Sequence, residues 1–159
     1  MLALHTSLIA AAVFVSFISG AHASTLDDEL RETARVGYSR SVSVNGQFFP
    51  MYYVGKFNDC DAVSSVQGKH IQNFRVCGGK VIPRNTVSPS WDRRDGARTF
   101  AEVQKMAIER GQYSMTDPNG YLVDVHQMSR TRPGCWKYEI IISYEGDLVE
   151  RDQIYHCSK

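Results

Sequence analysis

The sequence lacks the compact signatures of the best-known chemistries. It has no glycine-rich phosphate loop, no H-E-x-x-H and no G-x-S-x-G, so phosphate-loop, zinc-peptidase and esterase-elbow chemistry have no local support. No C-x-x-C pair occurs, and no two cysteines lie close enough for a zinc knuckle. No metal and no cofactor are therefore expected. No N-x-S/T sequon is present. The main apolar run, Leu8 to Ile18, falls short of the roughly 20 residues needed to span a bilayer. Charge is also missing at one end, since residues 1–23 carry no Asp, Glu, Lys or Arg.

What is present at that end reads as a targeting segment. The short apolar run leads into Ser19-Gly20 and then Ala21-His22-Ala23. That is the layout of a cleaved signal peptide spanning 1–23. Residues 24–159 are then expected to form a single exported domain, monomeric and off the membrane, with no linker and no internal repeat. Export changes the reading of Cys60, Cys77, Cys135 and Cys157. An even set in a small exported chain implies two disulfides, and four cysteines permit three pairings.

Net charge is +1 but uneven. Between Lys69 and Arg110, nine basic residues face four acidic ones, a local +5, while the segments on either side are each −2. A positive middle third suits phosphate or an acidic partner.

The elements follow from pattern. Thr25 to Val36 reads as a helix capped by Thr25 and stopped by Gly37, with Leu26, Leu30 and Ala34 on its buried stripe. Asn45-Gly46 between β-prone runs predicts a hairpin, and Pro50 predicts an edge or a break in its second strand. Ile71 to Ile82 reads as one strand kinked at Gly78-Gly79. Thr99 and Glu102 form a capping-box pattern for a main helix with Phe100, Val103 and Ala107 on one face. Strands then run from Gln112 to Thr116, Tyr121 to Met128, Trp136 to Tyr144 and Leu148 to Cys157. The fold class expected is α+β, one main helix packed on an antiparallel sheet and stapled by disulfides.

Candidate chemistry is sparse. Asp124 and His126 lie two apart on a strand and face the same way, which suits acid–base work in a hydrolase but supplies no nucleophile. Arg93, Arg94 and Arg98 crowd the loop before the main helix and suit phosphate or carboxylate. Trp91 beside them could stack on a base. Trp91, Arg93, Arg94, Arg98 and His126 are the binding candidates. His156, beside Cys157, reads as a surface histidine.

From Phe74 onward the order of motifs resembles a known family. Phe74-Arg75-Val76-Cys77-Gly78-Gly79-Lys80 is followed by a helix, by Gly120-Tyr121-Leu122-Val123-Asp124-Val125, by Pro133-Gly134-Cys135-Trp136-Lys137-Tyr138 and by a cysteine near the end. This is similar to the fungal guanyl-specific ribonuclease fold, and nearer to the ribonuclease-like secreted effectors of powdery mildew fungi. The resemblance spans 74–157 and leaves 24–73 as an N-terminal extension. It implies a Cys77–Cys157 disulfide, which leaves Cys60–Cys135 by exclusion; pairing by sequence neighbours would instead join Cys60 to Cys77 and Cys135 to Cys157. It also implies a carboxylate base, an arginine and a histidine acid. At those places this chain has Leu122, Lys137 or Tyr138, and Ile154 or Tyr155, with His156 out of step. The expectation is a secreted, catalytically inactive ribonuclease-like effector, no enzyme, that binds host protein or host RNA, with delivery into a host cell consistent with that role. The alternatives are a small secreted or periplasmic binding or inhibitor protein of another α+β fold, and an active hydrolase using His126 and Asp124.

Overall fold

A computed structural model describes residues 24–85 and 90–158. Residues 1–23, read from the sequence as a signal peptide, lie outside the described residues. The chain is α+β, with two helices, two antiparallel sheets and two disulfides. Helix α1 (Leu26–Val36) precedes a five-stranded meander of β1 (Arg40–Val44), β2 (Gln47–Phe57), β3 (Cys60–Gln67), β4 (His70–Cys77) and β5 (Lys80–Pro83). Helix α2 (Ala97–Arg110) precedes a four-stranded meander of β6 (Gln112–Thr116), β7 (Tyr121–Arg132), β8 (Cys135–Tyr144) and β9 (Asp147–Cys157).

Local rules account for most boundaries. Thr25 and Asp28 cap α1 reciprocally, and Gly37 ends it at φ 70° with its N–H on the Thr33 carbonyl. Asn45 and Gly46 both take positive φ, as a tight two-residue hairpin turn requires. Pro50 interrupts nothing, because β2 pairs with β3 only from Met51 onward and Pro50 sits at a local edge. Gly78-Gly79 makes a full reversal rather than a kink, so the predicted strand Ile71–Ile82 is the β4–β5 hairpin. The predicted Thr99/Glu102 capping box does not form. Helix α2 starts earlier, at Ala97 after Gly96, with no side-chain cap, and Thr99 is buried in its first turn. Gly96 is required there because a Cβ would lie 2.5 Å from the Trp91 ring.

Each helix covers one face of one sheet. Leu30 and Ala34 pack on Val42, Phe49, Met51, Val63, Phe74 and Val76. Val103 and Ala107 pack on Val123, Val125, Tyr138, Ile140 and Ile142, with Trp91 closing the end. Burial of such side chains supplies the dominant stabilisation, about 1.5–3 kcal/mol each. The faces that the helices leave uncovered meet each other. Tyr52 and Val66 of the first sheet pack on Leu148 of the second, with Val54, Ile71 and Ile141 at the margin. Asn73 ties this contact down, giving its Nδ2 hydrogen to the Leu148 carbonyl (3.1 Å) and taking the Leu148 N–H on Oδ1 (2.9 Å).

Three expectations are corrected here. The disulfides are Cys60–Cys77 and Cys135–Cys157, not Cys77–Cys157 and Cys60–Cys135. Each staples the open end of one hairpin, Cys60 opposite the end of β4 and Cys135 directly paired with Cys157, whereas the strand of Cys77 and the last strand belong to different sheets. Residues 24–73 are no extension on a 74–157 body, because position 74 falls inside β4 and the segment builds most of the first sheet. The order of elements does repeat, apart from β5, which has no counterpart. The order helix, glycine cap, meander, disulfide across the third and fourth strands occurs twice, with Gly37, Cys60 and Cys77 answered by Gly111, Cys135 and Cys157.

Candidate functional site

The polar residues on the inner faces of the two sheets converge at one place. Alternation along β7 sends Val123 and Val125 toward α2 and Asp124 and His126 inward, as the sequence predicts. Glu139 lies opposite His126 on β8. It is the one carboxylate in β8, buried to 4% exposure. Burial of an unpaired carboxylate costs several kcal/mol, and three donors offset it. Tyr52 donates its hydroxyl to Oε1 at 2.5 Å, Arg151 donates Nε–H to Oε1 at 2.6 Å, and His126 Nε2 lies 3.2 Å from Oε2. The second ring nitrogen of His126 lies 3.3 Å from Asp124 Oδ2. Tyr52 comes from the first sheet, so the cluster also joins the two layers.

The electrostatics follow from this arrangement. The Asp124 carboxylate, then Glu139, push the His126 pKa up to about 9 against the opposing effect of burial. Burial would raise the Glu139 carboxyl, but bonds from His126, Tyr52 and Arg151 overcome it and hold it at about 2. Burial, then the bond to Glu139, push the Tyr52 hydroxyl above its ordinary value. At neutral pH the cluster therefore holds two cations against two carboxylates.

Stability should follow these shifts. A histidine whose folded pKa lies above its ordinary 6.5 contributes fully below pH 6.5, and the contribution fades as pH rises to about 9. A carboxyl depressed from 4.5 contributes fully above pH 4.5, and the contribution fades as pH falls toward 2. Thermal unfolding scans should therefore place the highest Tm between about pH 5 and 6.5. His126→Gln should flatten the decline between pH 6.5 and 9; an unchanged alkaline limb would refute the assignment.

Beside this cluster a groove of about 480 Å³ opens between the sheets. Tyr38, Tyr52 and Val54 line one side, and Leu122, Asp124 and His126 line the other. Tyr52 and His126 are already paired there, whereas the buried Asp124 Oδ1 has no hydrogen-bond partner.

The other predicted binding residues lie elsewhere. Trp91 is buried at 7% exposure and donates Nε1–H to Asp117 Oδ2 at 3.2 Å, so it closes the core and is not a free stacking platform. Arg93 bridges Glu150 and Asp152 at 2.6 and 2.8 Å. Arg94 is exposed beside Asp92, and Arg98 is exposed on the first turn of α2. These residues sit by the helix-covered face of the second sheet, whereas His126 faces inward, so the five candidates do not form one site. Part of the positive middle third is also paired, since Arg75 and Arg84 share Asp147.

Glu139, Arg151 and Tyr52 were not legible as site residues. The available signal was Glu139 alone, an acid on the inward side of the Trp136–Ile142 strand. Among the described residues no cluster of three or more His, Cys, Asp or Glu side chains could hold a metal ion, and no helix is long and apolar enough to cross a membrane. No family model, no curated protein and no solved structure matches the chain.

Proposed function

We propose that this is an exported, non-catalytic binding protein of the inhibitor or effector type, whose partner is a protein. The observation that carries the reading is the state of His126. Both ring nitrogens face carboxylates, and the imidazolium persists to about pH 9. A general base needs a free lone pair near neutral pH, and an efficient acid needs a pKa close to the working pH. His126 has neither, and both of its ring nitrogens meet carboxylates rather than a hydroxyl or thiol. It acts instead as a charged strut. The paired disulfides support export.

Of the two binding readings, the disulfides favour a distinct α+β scaffold over the ribonuclease-like one. The latter requires a bond between the strand of Cys77 and the last strand, and those strands lie in separate sheets. The test is an activity screen of the disulfide-intact protein on RNA and on ester, amide and phosphoester substrates across pH 5–9. The expected result is no turnover above a mock preparation. Turnover that is abolished by His126→Ala, in a variant still folded by circular dichroism, would overturn the proposal.

A further inference from the structure

The two inner faces do not end where they touch. Asn73 meets Leu148, while Arg75, further along β4, bonds the carbonyls of Glu145 and Gly146. Strands β4 and β9 therefore cross in opposite directions. The N-terminal ends of β4 and of β2, which runs parallel to it across the intervening β3, thus point the same way as the C-terminal end of β9 and the N-terminal end of β8. Both sheets run past the contact on that side, and among the described residues no helix covers either inner face there.

The side chains on this overhang are unusual for a surface. On the first sheet they include Phe48, 79% exposed, and Pro50. On the second, register puts Lys137 directly opposite Tyr155, and Arg132 in line with the Cys135–Cys157 pair. Tyr155 is 65% exposed, and Met128, also 45% exposed, lies within 4.0 Å of the inward-facing Gln153. Three of the large apolar side chains most open to solvent therefore occupy one end of the molecule. Exposed apolar groups gathered in this way mark interaction surfaces. Among the described residues of its inward rows, the charges there have one sign. Beyond Glu139, which is already saturated, the inward rows Ser129–Lys137–Tyr155 and Arg132–Cys135–Cys157 hold two cations and no carboxylate, and the matching rows Ser43–Phe48 and Ser41–Pro50 are uncharged.

We infer that this overhang is the docking surface for an extended segment of a partner protein that carries carboxylates among apolar side chains. This rests on the binding-protein reading and adds the surface and the chemistry of its partner. Two cations are too few to hold a nucleic-acid backbone, which presents a charge at every phosphate. Phe48, Met128 and Tyr155 instead offer apolar and aromatic anchors, as protein interfaces use.

The test is a display library of short peptides with Glu at alternate positions and Phe, Leu, Tyr or Met between them, panned against the disulfide-intact full mature protein. A second library has Lys in place of Glu. Binders are expected from the acidic library and not from the basic one. Their affinity should fall about tenfold or more in Lys137→Glu and in Tyr155→Ala, and weaken with added salt. Arg94→Ala, on the far side, should leave it unchanged. These positions are exposed or half-buried, and unchanged circular dichroism confirms that the variants fold. Equal recovery from both libraries, no binder from the acidic one, indifference to Lys137→Glu and Tyr155→Ala, tighter capture of single-stranded RNA, or self-association of the protein through this end would each overturn the inference. Turnover in the activity screen would sink the binding-protein reading separately.

Discussion

Replacing Asp147 with alanine should destabilise the protein by about 3–5 kcal/mol, the cost of removing one partner from a buried ion pair. Asp147 is 2% exposed and its Oδ1 lies 2.9 Å from Nη1 of Arg75, itself 8% exposed, with Arg84 at 3.4 Å. Arg75 also donates to the carbonyls of Glu145 and Gly146, so it reaches from the first sheet into the β8–β9 turn of the second. Without Asp147, its charge stays buried against dipoles alone. Urea unfolding should show a lowered midpoint with an unchanged slope. Replacing both partners together, Arg75→Met with Asp147→Leu, should restore most of the loss, because apolar pairs of similar volume often match buried ion pairs. A loss below about 1 kcal/mol in Asp147→Ala would mean that the pair is hydrated in solution.

The second large effect is expected at Glu139. Glu139→Ala removes the shared acceptor of Tyr52, Arg151 and His126. About 3 kcal/mol is expected, the lower end for a broken buried pair, because Arg151 and His126 retain 24% and 30% side-chain exposure and water can reach them. The variant carries a second signature. With Glu139 gone, the histidine keeps only Asp124, so its pKa should fall below that of the parent, as NMR titration of the ring protons would show. A histidine that titrates as in the parent would show that Asp124 alone holds it, and that the bond to Glu139 is absent in solution.

Particular residues show where the sequence was legible. Thr25 and Gly37 mark the ends of α1 because a cap and a left-handed stop are local events. Asn45-Gly46 marks its hairpin for the same reason. The alternation of Trp136, Tyr138, Ile140 and Ile142 separates the two faces of β8, since side chains on a strand point alternately. Strand β3 was missed, although Asn58-Asp59 and Gly68-Lys69 punctuate both of its ends. The repeat was missed because its disulfides span unequal separations, 17 and 22 residues, so no fixed period shows. The Thr99/Glu102 pattern misled because the fit of Gly96 under Trp91 brings the chain into the helix early.

The sequence by itself determined both helices and most of the strands, which side of most strands is apolar, and that the cysteines pair among themselves. Those are properties of neighbours along the chain, governed by backbone sterics and by periods of two and 3.6 residues. Only the tertiary structure decided that the strands divide into two sheets, which cysteines meet, and that His126 is held between Asp124 and Glu139 beneath Tyr52. Those outcomes depend on which inner faces bury each other, a competition among surfaces far apart in the chain that no local pattern encodes.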